Sequence, residues 1–340
     1  MASSSTGSRS RRRHAQDLTN PFRIATRGSA LALAQANTVL RLCSEAFPGR
    51  RFELLILKTT GDKLQKASMR QPSASLPKGL FTKELEVALM SGAADLAVHS
   101  LKDLPTELPE GLKLGGVLPR ADVRDVLVSR GKARGLRDLR TGAVVATSSA
   151  RRGSQVRAAR NDLTIVEIRG NVPTRLKKLA ETEAFDATLL AAAGLKRLGI
   201  SMDVRGRVLA PPALAVPGWG NRLFGRPLPV KSMLPAPGQA AIGLECRDGD
   251  AVAAEVCRRL NDAATLACVE AERAFLRGIG GGCQSPVAAL ARVSDSTVTL
   301  DALVFEGAGV WRARRSAPAS KARSLGWRLG REARKALGIR

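Results

Sequence analysis

The sequence predicts an α/β fold with two doubly wound domains and a smaller third region. Three observations support this prediction. Strand-like apolar runs alternate with amphipathic helical segments, this alternation occurs twice, and a different pattern begins near Val252. Strands that alternate with helices form parallel sheets with right-handed crossovers. Two such blocks would face each other across a cleft, and 340 residues suffice for two or three domains with their own cores.

The first block follows a Ser/Arg-rich tail at 1–20, which contains few apolar residues and which we expect to be disordered. Ser29 is a suitable cap for the helix that LALAQANTVLRL continues, and a second helix is predicted over 80–91. Residues 61–79 are polar and contain two prolines, which predicts a long mobile loop. The strands of this block are predicted at 22–26, 52–58 and 94–99.

The second block repeats the pattern, with helices that end near Arg160, Thr182 and the GLKRLG segment. After it, the five prolines within 211–231 predict an irregular excursion. The third region combines a helix through Gly278, strands in TVTLDALVF and a basic terminal helix. The strands of the second block are predicted at 143–147, 163–168 and 187–190. We therefore expect a first domain at 21–120 and 233–250, a second at 121–210, a Pro-rich excursion at 211–232 and a C-terminal domain at 251–340.

The formal charge of +25 raises the question of a nucleic-acid partner. Residues 1–20 carry a net charge of +3 and residues 311–340 a net charge of +9, so about half of the excess lies in the two ends. Proteins that stack single-stranded bases need aromatic side chains, whereas aromatics form only 3% of this chain and Tyr is absent. The composition allows non-specific contact with polyanions. It gives little support to sequence-specific recognition.

Cysteine and histidine usage excludes several classes of site. The five cysteines are odd in number and form no CxxC pair, which argues against a disulfide framework and a zinc knuckle, and favours a reducing compartment. Of two histidines, only His99 lies in a patterned region, so no metal site and no Ser–His–Asp triad is predicted. The longest apolar run spans about nine residues, well short of the ~20 needed to cross a membrane.

Basic and small polar residues cluster directly after predicted strands, where open α/β sheets bind their ligands. Helix N-termini at this edge favour anions, and guanidinium groups match carboxylates in a two-pronged geometry. The pattern therefore predicts a cleft for a ligand with several carboxylates or phosphates. Asp103 stands apart as the one carboxylate placed to reach this cleft, although such a residue can also merely cap a loop. The clustered residues are Arg27, Ser29, Lys102, Thr147, Ser149, Arg151, Arg152, Arg169 and Arg175.

The segment GIGGGCQSP places Cys283 behind three consecutive glycines. Glycine lets another molecule approach the main chain closely, so the segment could present a thiol to a ligand. It could equally be a flexible turn around an inert buried cysteine. The pattern alone leaves both interpretations open.

Nine ordered blocks between residues 25 and 286 resemble the porphobilinogen deaminase (hydroxymethylbilane synthase) family. The most specific are HSLKDLPTELP, EIRGN and GGC. The others are ATRGSALALAQ, KTTGDK, KGLFTKELEVAL, ATSSARR, AAAGLKRLG and LPAPGQAAIGLECR. One departure from the family pattern is Ala240, which follows Gln239 where the family usually has Gly.

The resemblance implies two periplasmic-binding-protein-like doubly wound domains and a small α+β C-terminal domain. It implies a transferase of tetrapyrrole (haem or chlorophyll) biosynthesis that polymerises four porphobilinogen molecules into hydroxymethylbilane and releases ammonia. It further implies a dipyrromethane cofactor joined to Cys283 by a thioether, and catalysis by Asp103. The residues implied to bind the cofactor are Lys102, Asp103, Thr147, Ser149, Arg151, Arg152, Arg169 and Gln239. Those implied to bind the substrate are Arg27, Ser29, Arg169, Arg175 and Arg197.

Two other functions stay open at this point. One is a non-catalytic polyanion-binding protein of the same fold, and the other is a nucleic-acid-associated protein, suggested by the +25 charge. We expect a cytoplasmic monomer with porphobilinogen as its partner and with neither a membrane nor a specific nucleic acid. If the N-terminal tail is a transit segment, the location would be a plastid or another organelle.

Overall fold

The computed structural model describes residues 20–59, 82–214, 219–281 and 285–339. Most of the predicted basic tail, the predicted loop at 61–79 and Cys283 therefore lie outside the described residues. The strands are β1 (Phe22–Arg27), β2 (Phe52–Leu57), β3 (Leu96–Ser100), β4 (Leu112–Val117), β5 (Asp125–Ser129), β6 (Val144–Ala146), β7 (Thr164–Val166), β8 (Ala187–Ala191), β9 (Ser201–Met202), β10 (Val208–Leu209), β11 (Phe224–Pro227), β12 (Ile242–Arg247), β13 (Val287–Ser294), β14 (Thr297–Glu306) and β15 (Gly309–Pro318). The α-helices are α1 (Ala30–Ala46), α2 (Lys83–Met90), α3 (Ala150–Ala159), α4 (Val172–Glu181), α5 (Ala192–Arg197), α6 (Trp219–Arg222), α7 (Ala251–Leu260), α8 (Ala263–Ile279) and α9 (Ala322–Ala336).

The first sheet has the strand order β2-β1-β3-β12-β4. β1 is parallel to β2 and β3, as the alternation of strands and helices predicts. β12 runs antiparallel to β3 and β4, so the prediction of a purely parallel sheet is wrong here. The physical reason is that β12 returns from the second domain, and no crossover helix fixes its direction.

The second sheet has the order β11-β5-β8-β6-β7. β6 is parallel to β7 and β8, whereas β5 runs antiparallel to β8 and β11, which makes this sheet mixed as well. β11 lies inside the segment at 211–232 that we expected to be an irregular excursion. That expectation is wrong for β11, which is a regular strand at the edge of the sheet. Its proline, Pro227, stands at the last position of the strand, where a missing backbone N–H is tolerated.

The helix α7 begins at residue 251, the expected start of the C-terminal domain, and packs against the first sheet. Val256 and Cys257 of this helix are buried in the same apolar cluster as Ile24 and Leu244 of the first sheet. The single helix predicted to run through Gly278 is in fact two, because the chain breaks at Asn261 and Asp262 caps α8 through its side chain.

The C-terminal region is an antiparallel sheet, β13-β14-β15, covered by α8 and α9. The two helices approach closely because a glycine of α9, Gly326, lies against the backbone of α8. A Cβ atom on Gly326 would lie 2.0 Å from the carbonyl oxygen of Ala271. None of the helices in the described segments combines the length and apolarity needed to cross a membrane.

Candidate active site

A cavity of about 280 Å³ lies between the first sheet and the helices α4 and α5 of the second domain. Its walls come from the carboxyl ends of β1 and β3, as expected for an open α/β sheet. Among its lining residues, five side chains are cationic and one is a carboxylate. The charged and polar side chains that line it are Arg27, Ser29, Ser100, Lys102, Asp103, Arg152, Asn171, Arg175 and Arg197.

The carboxylate, Asp103, ends the short 3-10 turn Leu101–Asp103 that follows β3 directly. Leu101 is buried and anchors this turn, while Asp103 is exposed. No hydrogen bond or ion pair of Asp103 occurs within the described part of the chain. A free carboxylate on an anchored turn is therefore available to a ligand in the cavity.

Lys102 sits on the same turn and is half-buried. Burial lowers the pKa of Lys102, the attraction of Asp103 opposes this shift, and Arg152 adds to it. Its ammonium group has no hydrogen-bond partner among the described residues. An amine in this position gains from an anionic partner that enters the cavity.

Two neighbouring arginines of α3 share one buried carboxylate. Arg151 donates to one oxygen of Asp125 over 2.8 Å, and Arg152 donates to the other over 2.6 Å. All three side chains are almost wholly buried. Burial disfavours the charge of Asp125, but attraction to the two guanidinium groups outweighs it and holds the pKa of this carboxyl well below its usual range. The Nε atoms of Arg151 and Arg152 are buried and have no hydrogen-bond partner among the described residues.

The start of α3 explains why these arginines are fixed. The Ser149 hydroxyl caps the helix and accepts from the backbone N–H of Arg152, and the Thr147 hydroxyl accepts from the N–H of Ser149. Gln239 reaches the same cluster from the segment before β12, donating to Asp125 over 3.1 Å. Thr147, Ser149, Arg151 and Gln239 thus lie behind the cavity wall and support Arg152.

Arg175 and Arg197 complete the cationic wall from the second domain. Arg175 donates to the carbonyl of Gly170 over 2.8 Å, and Arg197 donates to the carbonyl of Ala240 over 2.6 Å. Burial lowers the pKa of each to about 10, and repulsion from Arg152 contributes for Arg175. Both remain charged at neutral pH. In these two hydrogen bonds, each guanidinium group donates to a backbone carbonyl and not to a carboxylate.

The remaining predicted residues lie elsewhere. Arg169 donates to Glu167 over 3.2 Å and is not among the residues that line the cavity. Cys283 is outside the described residues. Sequence reasoning missed Asp125, Ser100 and Asn171. Asp125 could have been found from its charge at the start of the apolar run VLV, because a buried carboxylate needs a cationic partner.

Two family models match the chain. Residues 22–255 match the family model "porphobilinogen deaminase, dipyromethane cofactor binding domain", and residues 266–335 match "porphobilinogen deaminase, C-terminal domain". A porphobilinogen deaminase of Syntrophobacter fumaroxidans is 43% identical over 92% of this chain and 93% of its own length. For those of Moorella thermoacetica and Thermus thermophilus, the identities are 47% and 44%, over 83% and 91% of this chain and over 82% and 94% of their own lengths. The chain belongs to the porphobilinogen deaminase family.

Proposed function

We infer that this chain joins four porphobilinogen molecules head to tail into hydroxymethylbilane, with release of ammonia, in tetrapyrrole biosynthesis. Membership of the porphobilinogen deaminase family supports this activity, as do relatives of that name that match most of the chain. The matching domain also gives the cofactor, dipyrromethane. The non-catalytic alternative finds no support in the comparisons.

The observation that carries the proposal is the charge of the cavity: five cations face one carboxylate. Porphobilinogen bears an acetate and a propionate, so a cofactor of two such pyrroles brings four carboxylates. The cavity fits such a group, because the Lys102 amine and the buried Nε atom of Arg152 lack partners within the described segments. Each would gain a charge-assisted hydrogen bond from a carboxylate arm.

Residue roles follow from this fit. We propose that Cys283 holds the cofactor through a thioether and that Lys102 and Arg152 bind its carboxylate arms. Arg27, Ser29, Arg175 and Arg197 line the rest of the cavity and would bind the arms of the substrate. Further assignments from the sequence remain predictions: Thr147, Ser149, Arg151 and Gln239 for the cofactor, and Arg169 for both ligands.

Asp103 is proposed as the catalytic residue. Bound dipyrromethane supplies the pyrrole carbon that extends the chain. Loss of ammonia leaves positive charge on the incoming pyrrole, and a carboxylate near the ring N–H stabilises that charge as it develops. Because Asp103 has no partner among the described residues, it is free to accept from a ring N–H and to move a proton. We also propose that the protein is a cytoplasmic monomer.

Intact-mass measurement with an activity assay tests this function. The purified protein should carry the added mass of two pyrrole units, and a Cys283→Ser variant should lack it. Incubation with porphobilinogen, followed by oxidation, should give uroporphyrin with the wild type only. Full activity in a protein whose Cys283 is unmodified would overturn the cofactor assignment, and absence of ammonia release would overturn the function.

A further inference from the structure

Two arginines of α8 hold the chain that follows Asp103. Arg273 donates to the carbonyl of Leu104 over 3.0 Å and to the carbonyl of Pro105 over 2.6 Å. Arg277, one helical turn later, donates to the carbonyl of Thr106 over 3.2 Å. Three successive carbonyl groups directly after the proposed catalytic carboxylate are therefore bound by one face of one helix.

The bound loop has little structure of its own. It follows the short turn Leu101–Asp103, contains Pro105 and Pro109, and forms no strand or α-helix before β4. Its carbonyl groups consequently need partners from elsewhere in the protein. Arg273 and Arg277 supply them, so the position of the loop depends on α8.

The charge of Arg273 has no ion-pair partner among the described residues, although the more distant Glu245 attracts it. Its side chain is only 8% exposed, and no described carboxylate lies within ion-pair distance of it. Burial, with repulsion from Arg277, lowers its pKa to about 10. A buried cation bound only by carbonyl groups is costly. A planar guanidinium group, however, can bind two adjacent carbonyls at once, which an ammonium group cannot do in the same fixed geometry.

The same helix leads to the cofactor loop. α8 ends at Ile279, and Gly280 follows with a φ of 80°. Cys283 lies three residues beyond Gly280 in the sequence. One helix thus binds the loop of Asp103 at its side and continues into the segment of Cys283 at its end.

We propose that Arg273, assisted by Arg277, is a positioning residue that fixes the chain after Asp103 and thereby the place of Asp103 at the cavity. This inference rests on the proposed function, which assigns Asp103 and Cys283 their roles. Arg273 does not touch the reacting groups. It acts through the backbone of Leu104 and Pro105, and it joins α8 to the loop that follows β3.

The test is an Arg273→Lys variant, which keeps the positive charge and removes the two-pronged bond. Misplacement of a catalytic group by about 1 Å can cost ~100-fold, so we expect kcat for ammonia release to fall between about 10- and 100-fold. KM should stay within about twofold and the cofactor mass should be unchanged, because the cavity cations are intact. In an Arg273→Ala variant, added methylguanidine should restore part of kcat.

Arg160→Lys is the matched control. The guanidinium group of Arg160 also donates to main-chain carbonyls, those of Leu136, Arg137 and Leu139, over 3.1–3.3 Å. It differs in also pairing with Asp162, and it does not line the active-site cavity. This variant should lose some stability and keep kcat within about twofold. Should Arg273→Lys fail to fold, Arg277→Lys carries the same test with a smaller expected loss of about threefold.

The outcomes separate the two proposals. If the wild-type protein releases no ammonia, both the proposed function and this inference are overturned. An active wild type whose Arg273→Lys variant matches the Arg160→Lys control removes this inference alone. A loss of activity that equals the unfolded or cofactor-free fraction of the variant would show a purely structural role and would also overturn it.

Discussion

The guanidinium group of Arg120 makes two parallel hydrogen bonds to the carboxylate of Glu272, with N···O distances of 2.7 and 2.9 Å. Glu272 is fully buried and accepts two more bonds, from the backbone N–H groups of Gly238 and Ala291, both over 2.7 Å. Arg120 follows β4, Gly238 precedes β12 and Ala291 lies in β13. One carboxylate therefore joins the first domain, the returning chain and the C-terminal sheet.

A Glu272→Gln substitution should destabilise the protein strongly. It leaves Arg120 buried without a counter-charge, and removing one partner of a buried ion pair costs about 3–5 kcal/mol. Urea denaturation measures the change in the free energy of unfolding. Glu255→Gln is the control, since the pair of Glu255 with Arg258 is exposed and should contribute little. Equal stabilities of the two variants would contradict the role given to Glu272.

An Asp125→Asn variant should change how stability depends on pH. The folded pKa of Asp125 lies below the usual value, so its contribution is fully present above the usual pKa near 3.8 and is lost as the pH falls below it. The variant should lose about 3 kcal/mol or more at pH 7. The difference between the free energies of unfolding of wild type and variant should stay constant from pH 7 to about pH 4. It should narrow as the pH falls further, because the carboxylate loses its contribution only between the usual pKa and its lowered folded value. A difference that does not narrow below pH 4 would refute this.

Asp103→Asn should abolish most of the activity without harming the fold. Losing a positioned acid–base or charge-stabilising group costs about 10²- to 10⁴-fold in rate. Asp103 is exposed and makes no hydrogen bond with described residues, so thermal unfolding should be unchanged. Ammonia release and intact mass are the measurements, and the cofactor should stay attached. Near-normal turnover would remove Asp103 from the mechanism.

The buried charge of Lys102 should lower the stability of the fold, while the same charge contributes to binding the carboxylate arms of the cofactor. Because burial lowers its pKa, the charged form costs stability at neutral pH, and this cost decreases as the pH rises toward the ordinary lysine value. Lys102→Met should therefore unfold at a higher temperature at pH 7, with the difference shrinking at alkaline pH. The fraction of purified protein that carries the cofactor mass should fall, because one charge-assisted hydrogen bond to a cofactor arm is lost. A stable variant with full cofactor occupancy would contradict the assignment.

Ala240→Gly should stabilise the protein. Ala240 has a φ of 72°, a left-handed conformation that costs a residue with a Cβ about 1–2 kcal/mol. Glycine avoids this cost but loses more chain entropy, so the expected net gain is about 0.5–1 kcal/mol. Ala241→Gly, at the neighbouring position of ordinary φ, should instead destabilise. Calorimetry of both variants checks the sign.

The sequence predicts those parts of the candidate site whose positions depend on residues close by in the chain. The Ser29 cap of α1 is an example, since its side chain accepts from the N–H of Ala32, three residues later. Lys102 and Asp103 follow a buried strand, and the alternation predicts the edge of the sheet at which they line the cavity. These positions follow from the strand–helix pattern alone.

Long-range partners could not be predicted in the same way. Asp125 meets Arg151 from 26 positions away, and no local pattern records that pairing. Arg27 is the last residue of β1, whereas Arg169 lies three residues beyond β7 and binds Glu167, two positions before it. β12 was missed because its direction and neighbours are set by the path through the second domain.

The position of β12 in the first sheet also bears on how the chain folds as the ribosome makes it. β4 pairs with β12 alone among the strands of the described segments, and β12 is synthesised only after every strand of the second sheet. A nascent chain can therefore finish the second domain while β4 still has no strand beside it. Until the ribosome has synthesised the chain through Arg247, the backbone groups of β4 that pair with β12 lack their partner strand.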